Sequence, residues 1–564
     1  MRYPLTLLLT TMLSALHAQP FNWQWSVRDT STLSSPNIHG FATDALGNSY
    51  VAGSFYGSVS FGGLPELTSA GQSDVYVAKY DDQGIAQWAV RAGGADFDNP
   101  YDLAIDGNGG IFITGGFESP TAGFGTTDLD LTGNMDIFVA KLGATDGTFL
   151  WAQRHGSNDF QSGNLEWGKA IACDASGNVY VTGCFRSELA LPGLSELQGC
   201  SQYYNSFVMK LDTDGNGLWS RRPDCGQHWS YSASEGQTIT VGADGMLYAG
   251  FRIRGDTLFV EGDTLVNEQF SGQAHDGVVV KYALDGTPQW TLAIGAYGYD
   301  DVQALQADAA GNLYIAMHRE GDYGHLGVPG VAYAGNLGTY RNVILKCDAN
   351  GHLLSGTRMG NSTYDHDITS MVLETPEKLL VAGWHQGNFT IADSTPNPGI
   401  GGNYGIWLAR FDTAFSMTDL FARRYSYPRG VRGLGLDGGG NIYLGGYFQD
   451  SLALPGLAPM QNANASAGAM FLARIGDFPT DVVAHDPAVA SSVFPVPSNG
   501  VFTVSSTAVF NQVRFVDVQG RTVREETFAP ALMHQLEIDT AGLLLGTLFH
   551  ADGSTSRISV LIDP

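Results

Sequence analysis

Short apolar runs separated by polar turns fill almost the whole chain, and one turn-plus-strand pattern returns at a regular spacing. Its clearest copy, Asp174 to Gly183, reads Asp-Ala-Ser-Gly-Asn-Val-Tyr-Val-Thr-Gly. Asp followed by Gly-Asn favours a tight turn, and the alternating apolar residues after it favour a strand. A period of this size predicts seven copies of one supersecondary unit. The tyrosine position recurs 62 to 68 residues apart, at Tyr50, Phe112, Tyr180, Leu247, Tyr314, Leu380 and Tyr443.

Each copy contains four strand-like segments, which are clearest in the second copy. Short Asp, Gly and Asn turns join the first segment to the second and the third to the fourth, whereas a longer loop joins the second to the third. Each copy is therefore expected to fold as a four-stranded antiparallel sheet. The segments of the second copy run from Tyr101 to Asp106, Gly110 to Phe117, Asp136 to Leu142 and Thr148 to Gln153.

The ends of the repeat array predict a closed ring. The last copy stops at Gly476 without a fourth segment, while Trp25 to Arg28 reproduces the fourth segment Trp88 to Arg91. An N-terminal strand that completes the last sheet would join the two ends of the array. The predicted fold class is all-β: a seven-bladed β-propeller closed by an N-terminal strand and followed by a small β-sandwich domain.

Basic residues form a column in the third segments. A column this regular is not one binding site, and a solvated or ion-paired strand position explains it better. Its members are Lys79, Lys141, Lys210, Lys281, Lys346, Arg410 and Arg474.

These repeats resemble a bacterial β-propeller repeat family whose pattern is Asp-x-x-Gly-Asn-x-Tyr-Val-x-Gly, followed by an apolar strand that ends in Lys. The resemblance covers roughly residues 21 to 476, and Asp174 to Gly183 with Phe207 to Lys210 carries it best. It implies a binding or structural scaffold on exported proteins and carries over no catalytic residue. The segment from Asp81 to Trp88 is also similar to quinoprotein propellers, but seven units and the lack of adjacent cysteines argue against that enzyme class.

The two ends of the chain predict export. Residues 1–18 have the features of a signal peptide, with Arg2, an apolar run from Leu5 to Leu16 and a small residue at Ala18. The remaining predicted parts are the propeller at 19–478, a linker at 479–492 and a C-terminal domain at 493–564. That last domain resembles the sorting domain of type IX secretion cargo, which implies contact with the secretion machinery and a secreted or outer-surface location. The motif residues are Pro495, Pro497, Asn499, Gly500, Asp517, Gly520 and Arg521.

Composition narrows the classes of partner. A formal net charge of -27 argues against nucleic acid and anionic membranes, and no internal stretch is long and apolar enough for a membrane span. Five cysteines cannot carry the stability of 564 residues, and Cys184 with Cys200 is the best candidate for a disulfide because the pair brackets one hairpin loop.

One turn has the oxygen-rich beginning of a calcium loop. Asp212, Asp214 and Asn216 alternate before a glycine, as in loops that wrap Ca²⁺. The glutamate expected eleven residues after Asp212 is missing, and equivalent turns elsewhere in the repeats are plain hairpins. The tight-turn interpretation is therefore favoured over the metal site, and no cofactor is assigned.

Acidic and aromatic residues gather in the connections between repeats, on the face where loops vary most. Carboxylates accept hydroxyl hydrogen bonds and rings stack on sugars, so this rim is a candidate ligand site, although the acids could instead cap strand ends. The candidates are Asp98, Tyr101, Glu166, Trp167, Glu235, Asp300, Asp301, Tyr364, Asp365 and Asp367.

The functional hypothesis is an exported propeller, more plausibly non-enzymatic, that binds an extracellular glycan or protein. Neither a Gly-x-Ser-x-Gly elbow nor a His-Glu-x-x-His pair is present. Two alternatives stay open: a secreted hydrolase or quinoprotein-like dehydrogenase with catalytic residues on its loops, and a purely structural coat protein.

Overall fold

The structure is a computed structural model, and every regular element in its described residues is a β-strand. The chain divides into two compact units, Met1–Gly476 and Asp477–Pro564, which are described separately. The signal peptide prediction lies outside the described residues. Those residues are 21–29, 36–157, 165–199, 203–223, 233–254, 257–266, 275–295, 299–319, 342–359, 366–386, 404–425, 430–462, 468–476, 491–494, 501–516, 522–538, 542–550 and 555–562.

Antiparallel sheets of four strands, here called blades, build the described part of the first unit, and seven are formed. The chain enters through β1 (Trp23–Arg28), which belongs to the last blade. Blade 1 contains β2 (Asn37–Thr43), β3 (Ser49–Val59), β4 (Leu67–Tyr80) and β5 (Ala86–Ala92). Blade 2 contains β6 (Asp98–Ile105), β7 (Gly110–Phe117), β10 (Asp136–Gly143) and β11 (Phe149–His155), with a side hairpin of β8 (Thr121–Phe124) and β9 (Thr127–Asp130).

Blades 3 and 4 repeat this plan, including a side hairpin between their second and third strands. Blade 3 contains β12 (Trp167–Cys173), β13 (Val179–Phe185), β16 (Asn205–Leu211) and β17 (Gly217–Arg221), with the hairpin β14 (Glu188–Leu189) and β15 (Leu197–Gln198). Blade 4 contains β18 (Ala233–Val241), β19 (Leu247–Arg254), β22 (Asp276–Tyr282) and β23 (Pro288–Ile294), with the hairpin β20 (Thr257–Val260) and β21 (Asp263–Val266).

Blades 5 to 7 complete the array. Blade 5 contains β24 (Asp300–Ala307), β25 (Leu313–Arg319), β26 (Asn342–Cys347) and β27 (Leu353–Met359). Blade 6 contains β28 (His366–Thr375), β29 (Lys378–Gln386), β30 (Tyr404–Asp412) and β31 (Met417–Tyr425). Blade 7 contains β32 (Val431–Leu436), β33 (Ile442–Gln449), β36 (Gly468–Ile475) and the N-terminal β1, with the hairpin β34 (Ser451–Leu452) and β35 (Met460–Gln461).

The predicted all-β propeller is confirmed, and the sheets close into a ring. Each first strand packs against the first strand of the next blade, and β32 packs against β2. Strand β1 pairs antiparallel with β36, with Trp25 opposite Arg474, as the reproduced tryptophan segment predicts. The innermost position of every blade is therefore a first strand, and these strands surround one axis.

The repeated Asp-x-x-Gly-Asn pattern forms a self-capped turn. In blade 3, Asp174 Oδ1 accepts the backbone N–H groups of Ser176 and Asn178, while Oδ2 accepts Asn178 Nδ2 at 2.7 Å and the Tyr180 hydroxyl at 2.9 Å. Gly177 has a φ of +80°, a backbone conformation that glycine adopts without strain. The pattern residues thus position the turn and the strand that follows it.

The tryptophan and basic columns tie neighbouring blades together. Trp88 Nε1 and Lys79 Nζ of blade 1 both donate to the carbonyl oxygen of Ala144 in blade 2, each at 3.1 Å. The basic column is therefore not simply solvated or ion-paired, because the turn of the next blade presents a carbonyl that needs donors. The same shared acceptance recurs at the carbonyls of Asp82, Thr213, Leu284 and Ala349.

Blade 6 replaces this contact with a buried ion triad. Arg410 binds Glu374 in two hydrogen bonds of 2.6 and 2.7 Å, and it binds Asp419 at 2.7 Å. The guanidinium also lies over the Phe21 ring, 5.0 Å from its centroid, just before the strand that completes blade 7. Phe421 takes the tryptophan position and packs on Trp23 of that same strand, with ring centroids 4.7 Å apart.

The predicted disulfide is not formed. Cys184 is a fully buried free thiol on β13, opposite Trp167, and Cys200 lies outside the described residues. Burial raises the pKa of this thiol, and nearby Glu235 raises it further. The hairpin-loop argument failed because Cys184 belongs to the strand itself and faces the packed blade interior.

The second unit is all-β, and its described strands form one continuous antiparallel sheet of five strands. The long β38 explains this, because β37 pairs with its first part and β40 with its last, while β39 pairs along both. Its buried core includes Val504, Phe515 and Leu548. The strands are β37 (Ser491–Phe494), β38 (Val501–Val516), β39 (Thr522–Glu537), β40 (Gly542–His550) and β41 (Thr555–Ile562).

Candidate functional site

A β-bulge interrupts the first strand of every blade near its start. In β12, Gly168 pairs with Gly183 and Ala170 with Thr182, so Lys169 between them has no partner in the ladder. A bulge leaves one extra residue on the strand and redirects its side chain. We call the seven bulged residues the axial ring: His39, Tyr101, Lys169, Gln237, Gln303, Thr369 and Arg432.

The last glycine of the repeat pattern permits this bulge. A Cβ on Gly183 would lie 2.0 Å from the carbonyl oxygen of Trp167, which is far inside contact distance. Gly53, Gly115 and Gly383 meet equivalent carbonyls at 1.8 to 2.1 Å. The motif glycine is therefore the signal in the sequence that could have located the axial ring.

Side chains of the axial ring contact one another across neighbouring blades. The rings of His39 and Tyr101 meet edge to face with centroids 6.2 Å apart, and Lys169 Nζ lies 5.3 Å from the centre of the Tyr101 ring. Arg432 donates to the Tyr447 hydroxyl at 3.1 Å. We call His39, Tyr101, Lys169 and Arg432 the cationic arc, which spans blades 7, 1, 2 and 3.

Three of the predicted acids lie beside the ring on the other blades. Glu235 accepts Arg252 at 2.7 Å, and the other guanidinium nitrogen of Arg252 is 3.9 Å from Asp301. Asp367 accepts the side-chain amide of the ring residue Gln303 at 2.5 Å. We call Glu235, Asp301 and Asp367 the acidic arc, which spans blades 4, 5 and 6.

We call the end of the channel that the axial ring surrounds the axial mouth. The pKa values of its ionisable side chains are shifted by burial and by neighbouring charges. Burial lowers the pKa of His39 to about 4, with further lowering by Arg432 and Lys169, so this imidazole is neutral at pH 7. Burial also lowers the pKa of Lys169, and the guanidinium of Arg432 adds to the effect. Asp102, one residue beyond the ring on β6, has a pKa raised by burial to about 7. Sequence reasoning missed Asp102 and six of the seven ring positions, since only Tyr101 was among its candidates.

Three other predicted acids are fully buried at the contacts between blades. Asp98 accepts Ser119 Oγ at 2.7 Å and the N–H of Gly94 at 2.6 Å, and burial raises its pKa. Asp300 begins β24. Burial raises the pKa of Asp276 in the preceding blade to about 7, and the charge of Asp300 raises it further. Glu166 accepts the N–H of Ser157 at 2.9 Å. Asp98 and Glu166 therefore accept backbone N–H groups, as the strand-capping interpretation expects.

Of the predicted aromatic candidates, one lies in the axial ring, one packs on another aromatic side chain and one lies outside the described residues. Tyr101 is part of the cationic arc. Trp167 is half-buried and packs edge to face on Tyr204, with centroids 5.1 Å apart. Tyr364 and Asp365 lie outside the described residues.

Glu166 forms a carboxyl pair with Asp136 of the preceding blade. Arg154 and the N–H of Thr132 occupy one Asp136 oxygen, at 2.5 and 2.9 Å. The other oxygen converges with Glu166 on Gly156, where a Cβ would lie 2.5 Å from Asp136 Oδ1 and 2.9 Å from Glu166 Oε2. Burial raises the pKa of Glu166 to about 8, and Asp136 raises it as well. The pair therefore shares a proton at neutral pH.

Glu166→Gln is expected to remove a pH dependence of stability. The pKa of Glu166 is about 8 in the folded protein, against 4.5 for an ordinary glutamate carboxyl. The folded state thus keeps a proton that the unfolded chain releases, so this contribution is complete below about pH 4.5 and is lost as the pH rises through 8. The amide mimics the protonated acid, so the variant should exceed the native protein in stability at pH 9.

Urea unfolding at pH 5.5, 7 and 9 measures this difference. The exposed Glu377→Gln is the matched control, because it removes the same charge without altering a buried pair. Parallel stability curves for the native protein and Glu166→Gln would show that the pair does not hold a proton.

The calcium-like turn uses its oxygens internally. Asp212 Oδ1 accepts the N–H groups of Asp214 and Asn216 at 2.9 and 2.8 Å, and Oδ2 accepts Asn216 Nδ2 at 2.9 Å. This is the same self-capped geometry as at Asp174. Across the described residues, no group of three or more His, Cys, Asp or Glu side chains is arranged to hold a metal ion.

The C-terminal unit matches a protein-family model. Residues 492–553 match the family described as "Secretion system C-terminal sorting domain". This part of the chain is a sorting domain. It indicates export by type IX secretion, so the protein is secreted or displayed on the cell surface. The predicted motif residues of the sorting domain, from Pro495 to Gly500 and from Asp517 to Arg521, lie outside the described residues.

Other similarities are weak. "Regulatory protein FlaEY" of Caulobacter vibrioides is 24% identical over 38% of this chain and 22% of its own length, so the chain spans about a fifth of that relative. The propeller domain of the Trilobed protease from Pyrococcus furiosus has a TM-score of 0.34 and 7% identity, covering 73% of this chain and 89% of that one. Quinohemoprotein alcohol dehydrogenase from Comamonas testosteroni has a TM-score of 0.35 and 10% identity, covering 94% and 72%. TM-scores this low say nothing about activity.

A search of the described residues finds no helix with the length and hydropathy to cross a membrane.

Proposed function

We propose that this exported propeller is a non-enzymatic binding protein that takes an extracellular glycan or protein ligand at its axial mouth. The observation that carries the proposal is the axial ring. Seven bulges place polar, charged and aromatic residues near the starts of the innermost strands, around one axis. Concave sites with a few convergent polar groups are where ligands bind most often.

The position of the ring on the molecule also supports binding. The bulges lie near the starts of the first strands, on the face that carries the connections between blades and the loops with side hairpins. The opposite face carries the short self-capped turns, such as the one at Asp174. Variable loops around a rigid framework are the usual location of recognition surfaces.

The burial of three candidate acids reduces the number of carboxylates that a ligand at the axial mouth could contact. Asp98, Glu166 and Asp300 belong to the contacts between blades, which leaves Glu235, Asp301 and Asp367 as the described candidate acids beside the ring. Arg252 contacts Glu235 and Asp301, and the side-chain amide of Gln303 donates to Asp367. Fixed carboxylates of this type suit the acceptance of hydroxyl or amide hydrogen bonds.

A single screen separates binding from catalysis. The purified secreted protein is applied to glycan and extracellular-protein arrays and, in parallel, to a panel of glycosides, esters and alcohol donors. The proposal expects reproducible array binding without turnover. Robust turnover of any panel member would instead favour an enzyme with loop-borne residues, and the absence of both signals would favour a structural role.

A further inference from the structure

Among the described residues, two cations of the axial ring form no ion pair with a carboxylate. In the described part of the chain no Asp or Glu oxygen lies within 4.0 Å of Lys169 or Arg432, whereas Arg252 on the same mouth contacts both Glu235 and Asp301. The chain has 56 acidic and only 29 basic residues. Lys169 feels the charges of Glu235 and Asp102 at longer range but forms an ion pair with neither. Two basic side chains outside direct ion pairs at one site are unexpected in so acidic a chain.

The two cations occupy equivalent bulge positions on strands around the same axis, and each lies against an aromatic ring. Arg432 lowers the pKa of Lys169, so the like charges interact across the mouth. Lys169 rests on the Tyr101 ring, and Arg432 lies over the Tyr447 ring at 5.5 Å from its centroid. Aromatic faces hold cations without neutralising them. The cationic arc is thus organised around positive charge that an anion would neutralise.

The acidic arc restricts which anion fits. A ligand dense in sulfate or phosphate would bring its negative charge close to Glu235, Asp301 and Asp367. A single carboxylate among hydroxyl groups avoids this, because hydroxyls donate to carboxylates while the ligand carboxylate accepts from Lys169 and Arg432. We infer that the axial mouth recognises the carboxylate of a hydroxyl-rich acidic sugar, such as a uronic acid unit of an extracellular glycan. This inference rests on the proposed function and names its ligand class.

Calorimetric titration of the purified secreted protein with trigalacturonic acid tests the inference. The methyl ester of the same trisaccharide is the uncharged counterpart, and free galacturonic acid separates a glycan from a small carboxylate. We expect the acid to bind at least about tenfold more tightly than its ester, since charge-assisted hydrogen bonds are about twice as strong as neutral ones. Trisaccharide binding stronger than that of the free sugar assigns the site to glycans.

Variants of the cationic arc locate the interaction. Lys169→Gln and Arg432→Gln are each expected to weaken binding of the acid about tenfold or more, because a charged partner is lost. The matched control is Lys378→Gln, an exposed lysine on the turn face, which should change affinity less than about twofold. Melting temperatures of all three should stay close to that of the native protein, since neither ring cation forms an ion pair in the described residues.

The outcomes separate this inference from the proposed function. Equal binding of acid and ester, preference for a sulfated trisaccharide or for a peptide, or unchanged affinity in Lys169→Gln and Arg432→Gln would overturn the acidic-sugar inference while leaving ligand binding in place. Failure of every glycan and protein to bind would overturn both.

Discussion

A chain that lacks residues 493–564 is expected to accumulate in the periplasm instead of reaching the cell surface or the medium. The deletion removes the sorting domain, while the ring of blades keeps all of its described contacts because it belongs to the other compact unit. Immunoblots of periplasmic, surface and medium fractions from the native host measure the distribution. Almost all of the truncated protein should be in the periplasmic fraction.

Two controls make this result specific. The truncated protein should resist trypsin as the full-length protein does, which shows that the propeller is folded. Fusion of residues 477–564 to a periplasmic passenger protein should move that passenger outside the cell. Normal amounts of the truncated protein in the medium would contradict the sorting assignment.

Arg410→Met should produce the largest loss of stability among single substitutions between blades. Glu374 and Asp419 would keep buried carboxylates without the guanidinium that binds both, and breaking a buried ion pair in this way costs about 3–5 kcal/mol. The Phe21 ring beside β1 would also lose its cation. Denaturant unfolding of the purified protein, followed by tryptophan fluorescence, measures the change.

The exposed Arg423→Met on the neighbouring strand β31 is the matched control and should have little effect. A triple variant with Arg410→Met, Glu374→Gln and Asp419→Asn should recover much of the loss, because no charge then stays buried. Equal stability of Arg410→Met and Arg423→Met would show that the triad does not hold blade 6.

Most of the fold could be predicted from the sequence because its signals are local and repeated. The Asp174 turn is stabilised by residues within six positions of the aspartate, so a linear pattern contains all the information that it needs. Ring closure could be predicted for a different reason. Trp25 donates to the carbonyl of Asp82 as Trp88 donates to that of Ala144. Because the two tryptophans have the same environment, the N-terminal segment resembles the fourth strand of another blade.

The site was only partly predictable because it depends on which side of a strand each residue faces. Asp300 and Asp301 are adjacent in the sequence, yet the first is fully buried between blades and the second lies in the acidic arc. Successive strand residues point to opposite sides, and the bulge that sets their phase is a property of strand pairing. Gly183 is required at the bulge because a Cβ there would collide with the Trp167 carbonyl oxygen. That requirement is visible only in the structure.

The second limit on predicting the site from sequence was that burial of an acidic side chain cannot be read from its position in a repeat. Glu166 and Asp367 are both acids at the start of a first strand, and composition cannot distinguish them. Packing between blades places Glu166 against Asp136, whereas Asp367 keeps about a third of its side chain exposed, at 32%. The same packing buries Cys184, which loop spacing alone assigned to a disulfide.

The most direct test of the central claim compares array binding by three proteins: the native chain, an axial-ring variant and a turn-face variant. The ring variant carries Tyr101→Ala, Gln303→Ala and Arg432→Ala, and the turn-face variant carries Gln83→Ala, Asn350→Ala and Lys378→Ala at exposed positions. The structure predicts that the native and turn-face proteins share a ligand signal that the ring variant loses while it stays folded. Undiminished binding by the ring variant would contradict the assignment of recognition to the axial mouth.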